Sequence, residues 1–174
     1  MSGFEQKIRT VMDFPKPGIG FKDITTLLKD ASAFTDSVEA LASRFNSEKI
    51  DKILGIESRG FIFASALAYK WNKGLIVARK PGKLPADKIG QEYELEYGLD
   101  SIEIHRDAIS PDERILIVDD LLATGGTVEA TIKLVERLNG KIAGIGLLIE
   151  LSFLNGKERF KNYNVCSLIK YDSE

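Results

Sequence analysis

The chain has 174 residues, 44% of them hydrophobic and 29% charged, with a net charge of −2, which suits one soluble domain with a substantial core. That slightly acidic balance argues against a nucleic-acid partner, whose binding surface would be basic, so any anionic ligand has to be met locally. One cysteine, Cys166, excludes an intrachain disulfide and a cysteine-based zinc cluster, and one histidine, His105, excludes a His-based metal site and a serine triad. No apolar run approaches the length that spans a bilayer. The expectation is a soluble, cytoplasmic protein with no membrane partner.

In chain order, Phe4, Ile8, Val11 and Met12 share one helical face, so a helix is expected over 4–12, stopped by Asp13-Phe14-Pro15-Lys16-Pro17-Gly18. In the segment after it, Ile19 to Thr25, Gly20 and Phe21 put an aromatic ring on sterically open backbone. Phe21 is read either as core or as a ring that stacks on a flat ligand. Phe34, Val38, Leu41, Ala42 and Phe45 repeat at helical spacing over 30–46. A strand is expected over 52–56, then the polar turn Glu57-Ser58-Arg59-Gly60, a helix over 61–71 and a strand over 75–78. Arg59 is either solvated or a donor fork for phosphate.

Residues 79–106 lack a helical period and carry Pro81, Gly82, Pro85, Gly90 and Gly98 among many charges. Tyr93, Leu95 and Tyr97 alternate with Glu92, Glu94 and Glu96, and Ile102 and Ile104 alternate with polar residues across Gly98-Leu99-Asp100. That is a hairpin pattern, read as a structural flap or as a lid able to exclude water, with His105 exposed on it.

Ile115 to Val118 is an uninterrupted apolar strand, and Asp119 and Asp120 are expected just beyond its end. Ala123-Thr124-Gly125-Gly126-Thr127 follows, opening a helix that runs to Asn139 and stops at Gly140. A strand over 142–151, a short helix within 153–163 and a strand over 165–169, with Cys166 packed in it, complete the chain. Strands alternating with helices imply an α/β fold: a mainly parallel sheet flanked by helices, with a β-hairpin lid and a small N-terminal segment.

The residue types of the 123–127 loop describe a cradle for one phosphate. Its glycines let backbone N–H groups approach a ligand, and its threonines add hydroxyl donors at a helix N-terminus. The adjacent carboxylates accept rather than donate, which suits sugar hydroxyls or a divalent cation held through them. The bland alternative is a solvated turn. No Gly-x-x-x-x-Gly-Lys-Ser/Thr motif is present, and Gly144-Ile-Gly146 lacks the third glycine of a dinucleotide fingerprint.

The string VDDLLATGGT resembles the phosphoribosyl pyrophosphate (PRPP) signature of type I phosphoribosyltransferases. Together with FPKPGIGFKDIT, GIESRGF, ARKPGKLP and YELEYG, it extends the resemblance over nearly the whole chain, toward the adenine-using members. The resemblance implies transfer of 5-phosphoribose from PRPP to adenine, giving AMP and pyrophosphate with Mg²⁺ carried mainly by the substrate, in a homodimer. It implies that Ala123, Thr124, Gly125, Gly126 and Thr127 hold the 5-phosphate and that Asp119 and Asp120 hold the ribose. Glu57, Ser58, Arg59 and Gly60, the first of these often Asp in relatives, would hold pyrophosphate through a turn that often contains a cis peptide, helped by Arg79, Lys80 and Lys83. Ile19, Gly20, Phe21, Lys22 and Leu121 would hold adenine, with Lys22 standing where many relatives have Arg. Glu96 beside Tyr97 on the lid would handle the purine proton. Relatives that use hypoxanthine or guanine typically have an acidic residue where this chain has Ala123. A transferase for another base and a PRPP- or purine-sensing regulator are the competing readings.

Overall fold

The computed structural model describes residues 3–94 and 98–173. A single 3₁₀ turn, Glu5–Lys7, leads into a short antiparallel ribbon, β1 (Arg9–Val11) with β2 (Phe21–Asp23), where the sequence pattern suggested a helix over 4–12. Of that apolar stripe only Phe4 is buried, while Met12 is 60% exposed. One anchored residue cannot offset the cost of nucleating an isolated helix. Cross-strand pairs hold the ribbon instead: Arg9 with the Asp23 carboxylate, and Lys22 Nζ donating to Thr10 Oγ1 at 3.2 Å.

After α1 (Thr25–Leu28), α2 (Ala31–Ala42) starts on an Asp30 cap that accepts from the Ala33 N–H. Next come β3 (Lys52–Ile56), α3 (Gly60–Trp71) and β4 (Gly74–Ala78), then the antiparallel pair β5 (Lys88–Glu94) and β6 (Leu99–His105). β7 (Arg114–Leu122), α4 (Gly126–Arg137), β8 (Lys141–Leu151) and β9 (Val165–Tyr171) finish the chain, with two 3₁₀ turns, Ser152–Leu154 and Gly156–Phe160, before β9. The main sheet runs β4-β3-β7-β8-β9 and is parallel throughout.

Both faces of that sheet are covered, which explains why its strands read as apolar runs. Along β7, Ile115 and Ile117 face the side of α4 and the hairpin, while Leu116 and Val118 face the side of α2 and α3. The pairing of β7 with β3 ends at Val118, but its pairing with β8 continues through Leu122. Asp119 and Asp120 therefore lie within the strand rather than beyond it, on backbone held by β8 alone. α4 stops at a left-handed Asn139 (φ 60°) rather than at Gly140.

The hairpin differs from expectation in register and in attachment. Tyr93 faces Asp100 and Glu94 faces Leu99, so the reversal precedes Leu99 instead of centring on it. Ile89, Tyr93, Ile102 and Ile104 are buried on the α4 side of the sheet, and Arg137 donates to the Gly90 carbonyl at 2.8 Å. Burying each isoleucine stabilises this attachment by about 2 kcal/mol, so the hairpin's stem is part of the core. His105 is half-buried rather than exposed, and Cys166 is half-buried.

Candidate active site

A cavity of about 490 Å³ opens at the carboxyl ends of β3 and β7, where ligands of open parallel sheets bind. Three loops build it. The first follows β3, where a cis peptide joins Glu57 to Ser58 and Arg59 occupies the position just before α3. The second follows β7, where Gly125 (φ 87°) forms the N-cap of α4. The third is the end of β5, which brings Tyr93 and Glu94 to the rim.

The phosphate-type loop is shaped by close approach from two sides. Gly125 has a left-handed backbone that favours glycine, and a methyl at its Cα would stand 3.0 Å from the Phe160 ring. Beneath the loop lies Gly156, where a methyl would stand 2.1 Å from the Ala123 carbonyl oxygen. The first N–H groups of α4 have no partners within the helix, so they are presented to the cavity as an anion cradle.

Asp119 and Asp120 line the cavity beside this cradle. Asp119 Oδ1 accepts the Asp120 N–H at 2.8 Å, and Asp120 meets the Arg59 guanidinium in a 2.6 Å ion pair. Burial pushes the Asp119 carboxyl well above the ordinary carboxylate range, and the neighbouring Asp120 charge pushes it the same way. Burial also raises Asp120, against the pull of Arg59. Two carboxylates this close hold a single full charge more readily than two. Gly60 makes the approach possible, since a methyl there would stand 2.8 Å from Asp119 Oδ1.

Arg59 ties the carboxylates to the N-terminal ribbon. It donates to the Lys22 carbonyl at 3.1 Å and lies 4.9 Å from the centroid of Phe21, whose other neighbour is Phe14 in an edge-to-face pair. Phe21 and Leu121 both line the cavity. Lys22 turns its side chain away, with Nζ 4.3 Å from the centroid of Tyr171.

The cations of the 79–83 segment carry internal anionic partners. Arg79 and Lys83 reach Glu57 Oε1 at 3.4 and 2.6 Å, and the Lys80 N–H donates to Glu57 Oε2 at 2.8 Å. Burial alone would raise the Glu57 carboxyl, but the bonds from Lys83, the Lys80 backbone and Arg79 outweigh it and bring it down to about 2. Lys80 Nζ bonds to Asp100 and, at 2.6 Å, to the Tyr93 hydroxyl.

Of the residues singled out in the sequence, Phe21, Glu57, Ser58, Arg59, Lys80, Asp119, Asp120, Leu121 and Ala123 to Thr127 line one cavity. Ile19, Gly20, Lys22, Gly60, Arg79 and Lys83 are not among its lining residues, although Gly60, Arg79 and Lys83 pack directly against residues that are. Glu96 and Tyr97 lie outside the described residues. Tyr93 and Glu94 were legible only as hairpin residues, because nothing in an alternating pattern tells which end of the strand meets a ligand. Gly156 and Phe160 carried no signal at all, since their role depends on a contact across more than thirty residues of chain.

A parallel five-stranded sheet with this acidic strand end and this loop is the arrangement of a phosphoribosyl transferase domain, and residues 25–173 match that domain family. The chain is 58% identical over 164 residues to the adenine phosphoribosyltransferase of Acidobacterium capsulatum, covering 94% of this chain and 91% of that one. The crystal structure of adenine phosphoribosyltransferase from Thermoanaerobacter pseudethanolicus superposes with a TM-score of 0.93 at 52% identity, covering 97% of this chain and 98% of that one. The Saccharomyces cerevisiae enzyme, crystallised with adenine and an imino-altritol bisphosphate, superposes with a TM-score of 0.90 at 34% identity, over 97% and 99% of the two chains. The chain belongs to the adenine phosphoribosyltransferase family of phosphoribosyltransferases.

Proposed function

We propose that this protein transfers the 5-phosphoribosyl group of PRPP to adenine, releasing AMP and pyrophosphate. The observation that carries this reading is one cavity lined at once by an anion cradle, a carboxylate pair and an aromatic platform. A ligand that satisfies all three has a phosphate at one end, a sugar diol in the middle and a flat base beside it. The loop from Ala123 to Thr127 takes the 5-phosphate, Asp119 and Asp120 accept from the ribose hydroxyls, and Phe21 and Leu121 hold the base. Ser58 and Arg59, with Lys80, face the departing pyrophosphate, and Arg79 and Lys83 reach it by exchanging their hold on Glu57. Main-chain groups of Ile19, Gly20 and Lys22 read the edge of the base, and Gly60 keeps the turn close to Asp119.

The reaction forms a bond from a base nitrogen to the anomeric carbon and breaks the bond from that carbon to pyrophosphate oxygen. Positive charge developing on the sugar ring is stabilised by the carboxylates at the end of β7. Mg²⁺ fits the donor set, since two cavity-facing carboxylates beside a sugar diol suit a hard cation shared through hydroxyls or water. When bound, it neutralises charge on the departing pyrophosphate, and most of its ligands come from the substrate's own oxygens. Glu96, next to Tyr97 in the sequence of the lid segment, accepts or relays the proton of the incoming purine. Ala123 leaves the loop without the acidic group expected for a hypoxanthine or guanine site.

The whole chain, 1–174, acts as a single domain in which residues 1–30 contribute to the base site and 79–106 carry the lid hairpin on a stem anchored in the core. The protein works as a cytoplasmic homodimer, and the exposed apolar side chains Met12, Phe14, Tyr69 and Leu75 support association. Among the described residues no helix is long and apolar enough to cross a membrane. The deciding assay incubates the protein with PRPP, Mg²⁺ and each of adenine, hypoxanthine, guanine, xanthine and orotate, and follows pyrophosphate release. Release with adenine is expected. Preference for another base would overturn the adenine assignment, and no release with any base would favour a PRPP- or purine-sensing regulator.

A further inference from the structure

Lys80 is the one cation of the 79–83 segment that lines the cavity, and two strands of the hairpin converge on it. Tyr93 on β5 and Asp100 on β6 are direct cross-strand partners. The Tyr93 hydroxyl accepts from Lys80 Nζ at 2.6 Å and donates to Asp100 Oδ2 at 3.2 Å, while Lys80 also bonds to that same carboxylate oxygen. The Lys80 ammonium lies 5.3 Å from the Tyr93 ring centroid. Asp100 is itself held in place, its Oδ1 accepting the Ser101 N–H at 2.7 Å.

Tyr93 is fixed on its other side by the start of α4. A methyl at Gly126 would stand 3.3 Å from Tyr93 Cδ2 and 2.9 Å from the Glu94 carbonyl oxygen. The side chain that holds Lys80 therefore rests on the same helix N-terminus that forms the anion cradle. Burial would lower the Lys80 ammonium, but the bonds from Asp100 and Tyr93 outweigh it and raise it. Lys80 is thus held as a charged ammonium between Asp100 and Tyr93.

We infer that Asp100 and Tyr93 form a holster for Lys80: they hold its ammonium when the pyrophosphate side of the cavity is empty and release it to a phosphate oxygen when that side fills. The flexible stem of lysine lets the head group move by rotation about its terminal bonds while the backbone of the 79–83 segment stays in place. A phosphate carrying more than one charge outcompetes a single carboxylate for the same ammonium. Asp100 is then an internal competitor that weakens pyrophosphate binding and speeds its departure, and both residues are positioning residues for Lys80. This rests on the proposal that Lys80 faces pyrophosphate.

The test is calorimetric titration of magnesium pyrophosphate into wild type, Asp100→Asn, Lys80→Gln and the double variant. Asp100→Asn should bind roughly threefold more tightly than wild type, the size expected for removing a half-exposed ionic competitor. In the Lys80→Gln background the same substitution should change nothing. Equal or weaker binding by Asp100→Asn overturns the holster. So does an equal gain in the Lys80→Gln background, which would mean only that a negative charge had been removed from the neighbourhood. Tyr93→Phe keeps the ring on Gly126 and removes the hydroxyl, so it should give a smaller gain. If Asp100→Asn fails to fold in a melting experiment, Tyr93→Phe decides the matter, and absence of any gain sinks the idea. Adenine-dependent pyrophosphate release by the wild-type protein tests the parent reading separately: its absence beside an intact cycle would reject the enzyme and keep an anion site with a holster.

Discussion

Gly156 lies directly beneath Ala123, so closely that a methyl on its Cα would stand 2.1 Å from the Ala123 carbonyl oxygen. No flexible side chain can move aside there, because the obstacle is backbone of the 123–127 loop itself. The 3₁₀ turn Gly156–Phe160 is therefore a floor on which that loop is shaped, with the Phe160 ring closing the gap under Gly125. Gly156→Ala is expected to cost at least about 2 kcal/mol of stability, as overpacking does where the neighbour cannot yield. It should also raise KM for PRPP more than it lowers kcat. Urea unfolding and initial-rate kinetics check both parts, and an unchanged KM for PRPP would show that the floor does not shape the loop.

What could be read from the residues followed the range of the forces involved. The uninterrupted apolar run of β7 and the helical stripes of α2 and α4 are local patterns, and the elements they implied are present within a few residues of the expected bounds. Over 4–12 the same rule misled, because a ribbon pairing with Phe21–Asp23, ten residues downstream, decided the local conformation. Asp119, Asp120 and the 123–127 loop were legible because their chemistry sits in one contiguous stretch. The Glu57 clamp on Arg79 and Lys83 was not, since it joins residues more than twenty positions apart and exists only once β3 and β4 are paired.

That clamp gives a pH prediction. The Glu57 carboxyl lies at about 2 in the folded protein against 4.5 ordinarily, so the folded state binds its proton less readily than the unfolded chain does. Its contribution to stability is present in full above pH 4.5 and is lost as the pH falls from there toward 2. Glu57→Gln should be less stable than wild type at neutral pH, and the difference should shrink through that window. Urea denaturation of both proteins at several pH values measures it. A difference that stays constant from neutral pH down to 3 would mean that the clamp is not ionic.

The assignment of Glu96 to proton handling has a test of its own. Removing a general base typically costs 10²–10⁴ in the chemical step, so Glu96→Gln should slow single-turnover AMP formation by about 10²-fold or more. Affinity for PRPP should be little changed, because the cradle and the carboxylate pair are untouched. An unchanged single-turnover rate would remove Glu96 from the mechanism.

Arg59 links three parts of the site: it pairs with Asp120 at 2.6 Å, donates to the Lys22 carbonyl at 3.1 Å and lies under Phe21. Asp120 is almost completely buried, at 5% exposed, so its charge depends on that guanidinium. Arg59→Ala leaves an uncompensated buried carboxylate and should destabilise the protein by about 3 kcal/mol, with Asp120 taking up a proton at higher pH than in wild type. A loss of this size in transition-state binding corresponds to roughly a 10²-fold fall in kcat/KM. Arg59→Lys keeps the charge but has only one head group for three partners, so it should recover most of the stability and little of the activity. The double variant Arg59→Ala/Asp120→Asn separates the two effects. Stability should return toward wild type, because no unpaired buried charge remains, while activity should stay low, because the base platform has lost its support. If stability did not recover in the double variant, the cost of Arg59→Ala would lie in lost packing against Phe21 rather than in the stranded charge of Asp120.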